Sequence, residues 1–196
     1  MKLSKTILAV LGTGLLSCAL FGQQAQAALV EGNVNFAGAV TFDTTSLATA
    51  TRVKTWFDSN GNSGFSSVQL GATGDFAGIG AGTQATMAQP WIFVPSTPTL
   101  ALWKVGGFTF DLNSSTVDTQ TTKNLTIEGS GIVSGNGFDA TPMTWMFTTQ
   151  NSGGKNMQFF SFSANSTAVP DSGSAVALLG LALTGIEVLR RKLKLG

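Results

Sequence analysis

The feature that most limits the fold of this chain is an alternation of apolar and polar residues with a period of two. It is clearest over residues 34–42, where Val34, Phe36, Val40 and Phe42 are separated by small or polar residues. Successive side chains of an extended chain point to opposite faces of a sheet. The pattern therefore predicts a strand with one buried face.

Similar segments recur along the chain and are separated by turn-forming residues. Thr, Ser, Gly and Asn dominate residues 28–168, and long helix-forming runs of Ala, Leu, Glu and Lys are absent there. The alternative is disorder, but a disordered chain rarely carries so many regularly placed Phe and Trp residues. Strand character is found at 34–42, 52–57, 65–70, 87–94, 100–105, 108–112, 125–133, 144–148 and 158–162. About nine or ten strands predict an all-β fold, an antiparallel β-sandwich or jelly-roll-like domain.

The N-terminal residues have the composition of a secretory signal peptide. Lys2 and Lys5 form a positive region before an apolar stretch, and Ala25 and Ala27 supply the small residues of a cleavage site. We expect signal peptidase to remove residues 1–27. The chain would then be exported across the inner membrane.

The single cysteine of the chain, Cys18, lies within this leader. An alternative is lipoprotein processing at Cys18, because residues 15–18 loosely resemble a lipobox. If the cut follows Ala27 instead, the exported domain over residues 28–168 has no thiol or disulfide chemistry. Its stability must then come from a packed core.

The C-terminal residues, 169–196, combine a short signature, an apolar segment and a basic end. An ideal helix over residues 175–189 spans about 22 Å, whereas the hydrocarbon core of a bilayer is about 30 Å thick. Local thinning of the bilayer can compensate for this difference. The positive-inside rule places the basic end in the cytoplasm. We expect a transmembrane helix here. The signature is Val169, Pro170, Asp171, Ser172 and Gly173, and the basic end begins with Arg190, Arg191 and Lys192.

The intact VPDSG signature, the apolar segment and the basic end together resemble the PEP-CTERM class of sorting tails, in its VPDSG-CTERM variety. The resemblance implies recognition by an exosortase, removal of the helix and transfer of the ectodomain to the cell surface. An uncut membrane anchor is the alternative. A recurrent ectodomain of exosortase substrates, which has no assigned activity, is also similar to this chain at residues 73–78, 102–103, 108–112, 129–131, 138–142 and 145.

Charge and residue types exclude several functions for residues 28–168. Five cations against eight acids give this region a net charge of −3, which argues against a nucleic-acid partner because such binding depends on phosphate neutralisation. The chain has no histidine, which removes Ser-His-Asp and Cys-His catalysis and the usual zinc sites. A glycosidase-like carboxylate pair stays open, but no spacing selects one among Asp75, Asp111, Asp118, Glu128 and Asp139. We expect neither an enzyme nor a cofactor.

Two segments are candidate binding sites. Arg52, Lys54 and Trp56 share one face of a predicted strand, where a ring beside cations could contact an acidic glycan. The alternative is that Trp56 covers a sheet edge while the cations are merely solvated. Trp91, Trp103 and Trp145 have apolar neighbours and are expected in the core.

The second candidate is a metal loop. Asp58, Asn60 and Asn62 have the one-three-five spacing of calcium ligands. The match then fails, because Ser63 stands where an EF-hand needs glycine and Gln69 where it needs glutamate. A hairpin turn is the better interpretation.

These observations predict a non-enzymatic surface or extracellular-matrix protein, associated with exopolysaccharide and sorted by an exosortase. The alternative is a carbohydrate-binding module for an extracellular polysaccharide. The expected partners are signal peptidase, the exosortase and, transiently, the inner membrane.

Overall fold

The computed structural model describes residues 28–151 and 157–166, together with Leu183 and Arg190, which are helical. The strands all lie in the first of two compact units, Met1–Ser166. The predicted signal peptide and signature lie outside the described residues, as does the predicted membrane helix apart from Leu183. Within the described part of the chain, no helix is long and apolar enough to cross a membrane.

Ten strands and two short 3-10 helices make up the described domain. The 3-10 helices span Leu47–Thr49 and Gly74–Phe76. The strands are β1 (Gly32–Phe42), β2 (Arg52–Phe57), β3 (Phe65–Val68), β4 (Gln84–Met87), β5 (Trp91–Ile92), β6 (Thr99–Val105), β7 (Phe108–Gln120), β8 (Asn124–Gly135), β9 (Phe138–Gln150) and β10 (Met157–Ser166). The prediction of an all-β fold is confirmed.

The strands form a closed antiparallel barrel of eight strands, in the order β1, β10, β9, β8, β7, β6, β4, β3 and back to β1. The predicted β-sandwich or jelly roll is therefore wrong. The first and last strands pair along their length, from Gly32 opposite Ser166 to Thr41 opposite Met157. This pairing closes the sheet and leaves no free edge in the ring. A two-residue alternation fits both folds, because both have one buried face on each strand.

Two strands stand outside the ring. β2 pairs with the C-terminal part of β1, and β5 pairs with β2. The predicted strand over residues 87–94 is divided, because β4 ends at Met87 and β5 begins at Trp91. Pro90 lies between them and has no N–H to donate to a ladder.

Aromatic rings fill the barrel interior. Trp91, Trp103 and Trp145 are buried, as predicted. Trp145 stacks on Phe162 with ring centroids 5.2 Å apart, and Trp103 stacks on Phe110 at 5.4 Å. Side chains commonly fill small barrels in this way, and stacked pairs add to the stabilisation from burial.

A glycine makes room for one of these rings. Gly131 on β8 is buried and lies beside Phe110. A Cβ at position 131 would stand 2.5 Å from Phe110 Cζ and would also meet the carbonyl oxygen of Asp111. The glycine is needed here for close packing.

Candidate functional site

The predicted glycan face on β2 does not form, because Trp56 points into the barrel. The register between β1 and β2 shifts by one residue next to Phe42, and Lys54 is the extra residue of this β-bulge. The bulge breaks the alternation, so Val53 and Trp56 are both buried while Arg52 and Lys54 are exposed. With an exposure of 0%, Trp56 cannot stack on a sugar at the surface.

Trp56 is instead part of the core. Its indole Nε1 donates a hydrogen bond of 2.9 Å to the carbonyl oxygen of Ala88. Its ring stacks on Trp91 at 5.9 Å and meets Phe160 edge-on at 5.0 Å. These contacts satisfy both the polar and the apolar parts of the side chain.

Arg52 forms an ion pair with a carboxylate. Its Nε lies 3.9 Å from Asp43 Oδ2, and Asp43 Oδ1 also accepts a 3.0 Å hydrogen bond from the backbone N–H of Thr51. Partial burial acts to raise the pKa of Asp43, but hydrogen bonds from Thr51 and Arg52 outweigh it and leave that pKa below its ordinary value. Asp43 stays ionised beside Arg52.

The residues of the predicted calcium loop form a tight turn after β2. Asp58 Oδ1 accepts backbone N–H bonds from Asn60 at 2.9 Å and Asn62 at 2.8 Å. Asp58 Oδ2 accepts side-chain amide bonds from Asn62 at 2.9 Å and Gln84 at 2.5 Å. The carboxylate is thus shared among four N–H donors, and a cation would have to displace them.

These donors hold Asp58 in its ionised form. The side-chain bond from Asn62 is the largest cause, and against opposing desolvation the bonds from Gln84 and the backbone bring the pKa of Asp58 to about 2. Among the described residues, no group of three or more His, Cys, Asp or Glu could hold a metal ion. The observed role of Asp58 is to fix the turn.

Two carboxylates that were considered for catalysis also accept hydrogen bonds from backbone N–H groups. Asp75 Oδ2 accepts a 2.8 Å bond from the N–H of Glu31, and Asp111 Oδ1 accepts a 2.7 Å bond from the N–H of Ala101. Both acids hold neighbouring segments in place.

An exposed aromatic residue lies on the other side of β1. Phe159 on β10 is 73% exposed. It stands opposite Ala39 of β1, and Ala39 stands opposite Phe57 of β2. Since neighbouring strands are about 4.8 Å apart, Phe159 and Phe57 flank a small residue across about 10 Å.

We name the space around this row the Phe159 groove. It is an open groove of about 470 Å³ on the outside of the barrel. Small residues of β1 form its floor, and the Asp58 turn forms one wall. The residues that define it are Ala37, Ala39, Phe57, Ser59, Gln69 and Phe159.

Phe159 was not predicted as a site residue, although the pattern of β10 contains a signal for it. The buried residues of this strand are Gln158, Phe160, Phe162, Ala164 and Ser166, and the alternate positions are exposed. Phe159 is therefore an aromatic residue on the polar side of a regular strand. The sequence of β2 contains no comparable pattern that would indicate its bulge.

A second surface feature is a polar wall on the outside of β7, β8, β9 and β10. Thr116 pairs with Glu128, and Ser130 pairs with Thr144, which pairs with Asn165. Side chains with hydroxyl, amide or carboxylate groups thus lie in register across neighbouring strands. A depression of about 620 Å³ runs over this wall, and its lining residues are Thr116, Glu128, Gly129, Thr144, Trp145, Met146, Ser163 and Asn165.

Comparison with protein families finds a match at the C-terminal end of the chain. The family model of the VPDSG-CTERM motif matches residues 168–193. The chain carries a VPDSG-CTERM sorting signal. It is therefore processed by an exosortase and sorted to the surface. The VPDSG-CTERM match covers the tail alone, and neither the curated proteins nor the solved structures contain a match to this chain.

Proposed function

We propose that this protein is a non-enzymatic component of the extracellular matrix, where its barrel contacts exopolysaccharide. The observation that carries the proposal is the VPDSG-CTERM signal at residues 168–193, which directs the domain to the surface. A domain sorted to the surface is in a position to contact extracellular polymer.

The form of the barrel supports a role in contact rather than in catalysis. Its interior is occupied by stacked rings such as Trp145 on Phe162 and Trp103 on Phe110. Side chains able to interact with a partner therefore lie on the outside. Asp43, Asp58 and Asp111 each accept hydrogen bonds from backbone N–H groups.

The polar wall suits a hydrated polymer. Its Thr, Ser and Asn side chains each offer both a donor and an acceptor, and they are spaced by the regular geometry of the sheet. Many weak hydrogen bonds to hydroxyl groups suit a protein that acts by association along a chain.

The sorting step is tested in the host by scrambling Val169–Gly173 in the full-length chain. We expect the unaltered protein to be shortened and recovered in the matrix, and the scrambled variant to stay at precursor size in the membrane fraction. Ser174→Ala, just outside the signature, is the matched control. Normal release of the scrambled variant would contradict sorting by this signal.

Matrix association is tested by digesting the exopolysaccharide of intact cells. Release of the protein on digestion, with retention in mock-treated cells, is the expected result. If the unaltered protein is free in the medium before digestion, the matrix role is wrong.

A further inference from the structure

We propose that the Phe159 groove is a binding site for a neutral polysaccharide. The inference rests on the proposed function, because it assigns the contact with extracellular polymer to one place on the barrel. It differs from the predicted acidic-glycan face at Arg52, Lys54 and Trp56, whose aromatic residue is buried.

Phe159 supplies a platform for a sugar ring. One face of a pyranose carries mainly C–H groups, which pack well on an aromatic face, while its rim carries hydroxyl groups. Phe159 is 73% exposed, and half-buried Phe57 lies in the same row beyond Ala39. Because the side chain of Ala39 is small, it leaves space for a ligand between the two rings.

Met157 extends the apolar side of the groove. It lies two residues before Phe159 on the same face of β10 and is 41% exposed. Apolar residues that are exposed side by side often mark a binding site. The volume of about 470 Å³ lies within the range of about 300–1,000 Å³ found for small-molecule sites.

The opposite wall offers hydrogen-bonding groups on the Asp58 turn and directly after β3. Ser59 Oγ lies 2.7 Å from Ser67 Oγ, and the backbone N–H of Ser59 donates to Ser67 Oγ at 3.0 Å. Gln69 donates from Nε2 to the carbonyl oxygen of Ser67 at 3.2 Å, so its amide is oriented. Groups held in this way lose little freedom on binding.

The charge of the groove favours a neutral ligand. Among the described residues that line it there is no Lys or Arg, and its carboxylate, Asp58, is 4% exposed and is shared among four N–H donors. Among these described lining residues, an anionic polymer would find no cation to neutralise it. A combination of an aromatic platform, an amide and a hydroxyl matches uncharged sugar units.

The test is affinity electrophoresis of the full-length protein, purified in detergent, in native gels that contain laminarin, hydroxyethyl cellulose or polygalacturonate. We expect at least one of the two neutral glucans to retard the protein and polygalacturonate to leave it unchanged. Phe159→Ala should weaken the apparent affinity about tenfold or more, as for an aromatic residue at the centre of a contact. Gln69→Ala should weaken it about fivefold.

Two further variants distinguish specific binding from nonspecific hydrophobic adsorption. Leu100→Ala removes another exposed apolar side chain, 81% exposed on β6, and should leave the retardation unchanged. Phe159→Trp should preserve the retardation by the neutral glucan. The proposal is overturned if neither neutral glucan retards the protein, if retardation is seen with polygalacturonate alone, or if Phe159→Ala and Leu100→Ala behave alike.

The same variants in the host distinguish this site from the proposed function. If the unaltered protein and Phe159→Ala are retained equally in the matrix, the groove is not the contact and the matrix role stands. If the unaltered protein is not retained, the matrix role fails, and retardation by a neutral glucan in the gel would still support the groove.

Discussion

Trp56 and Phe159 stand on either side of β1 and point in opposite directions. Trp56 pairs with Val40 and is buried, whereas Phe159 pairs with Ala39 and is exposed. β2 carries a bulge that turns Trp56 inward, while β10 keeps an unbroken register along β1. Strand register, rather than residue type, therefore decides which of the two aromatic residues a ligand can reach.

The strongest test of this comparison is Trp56→Ala. Removing a fully buried indole and its hydrogen bond to Ala88 should lower the free energy of unfolding by about 3–5 kcal/mol. Urea denaturation measures this, with Lys54→Ala as the matched control at the exposed bulge residue. A loss below about 0.5 kcal/mol for Trp56→Ala would mean that the ring is not in the core.

A second test compares two adjacent residues of β8. Gly131 faces the interior and Ser130 is exposed on the polar wall. Gly131→Ala should destabilise the barrel by about 1–3 kcal/mol, because the new Cβ meets Phe110 and the backbone of Asp111.

Ser130→Ala serves as the control, and its unfolding free energy should change by no more than about 0.5 kcal/mol. Equal effects at the two positions would show that the side chains of β8 do not alternate between interior and surface. Urea denaturation of both variants decides the point.

The strand pattern could be predicted from the sequence because each strand repeats a period of two. Closure into a barrel could not, since it depends on β1 meeting β10, two segments at opposite ends of the domain. Local alternation contains no information about which strands are neighbours. The core positions of Trp91, Trp103 and Trp145 were predictable, because each is surrounded by apolar residues in the sequence.

The site was harder to predict than the fold. A bulge adds one residue without changing the local composition, so regular alternation predicts one shared face for Arg52, Lys54 and Trp56. The Phe159 groove joins β1, the turn after β2 and β10, which lie far apart in the chain. The sorting signal was predictable because it is read as contiguous residues, and residues 168–193 match its family model.

The turn that forms one wall of the groove gives a pH-dependent prediction. The pKa of Asp58 is lowered from 3.8 to about 2 on folding, so its contribution to stability is fully present above the unfolded pKa. It is lost as the pH falls through the folded pKa. Asp58→Asn should therefore lower the melting temperature at neutral pH and reduce its fall between about pH 6 and pH 2.

Thermal unfolding at several pH values measures this effect, with Asp118→Asn at an exposed position of β7 as the control. An unchanged pH profile in Asp58→Asn would show that the four hydrogen bonds to Asp58 do not form in solution. The wall of the groove would then lack its rigid support.

The smallest effect on stability is expected at Phe159 itself. Because its ring is mostly outside the barrel, Phe159→Ala should change the free energy of unfolding by no more than about 0.5 kcal/mol. Urea denaturation of Phe159→Ala and Trp56→Ala compares the free energies of unfolding that the two aromatic residues contribute. A large loss at Phe159 would mean that the ring is a structural cover, and any weaker glucan binding would then follow from unfolding. A negligible loss, together with weaker binding, separates the aromatic residue that stabilises the barrel from the one that is available to a ligand.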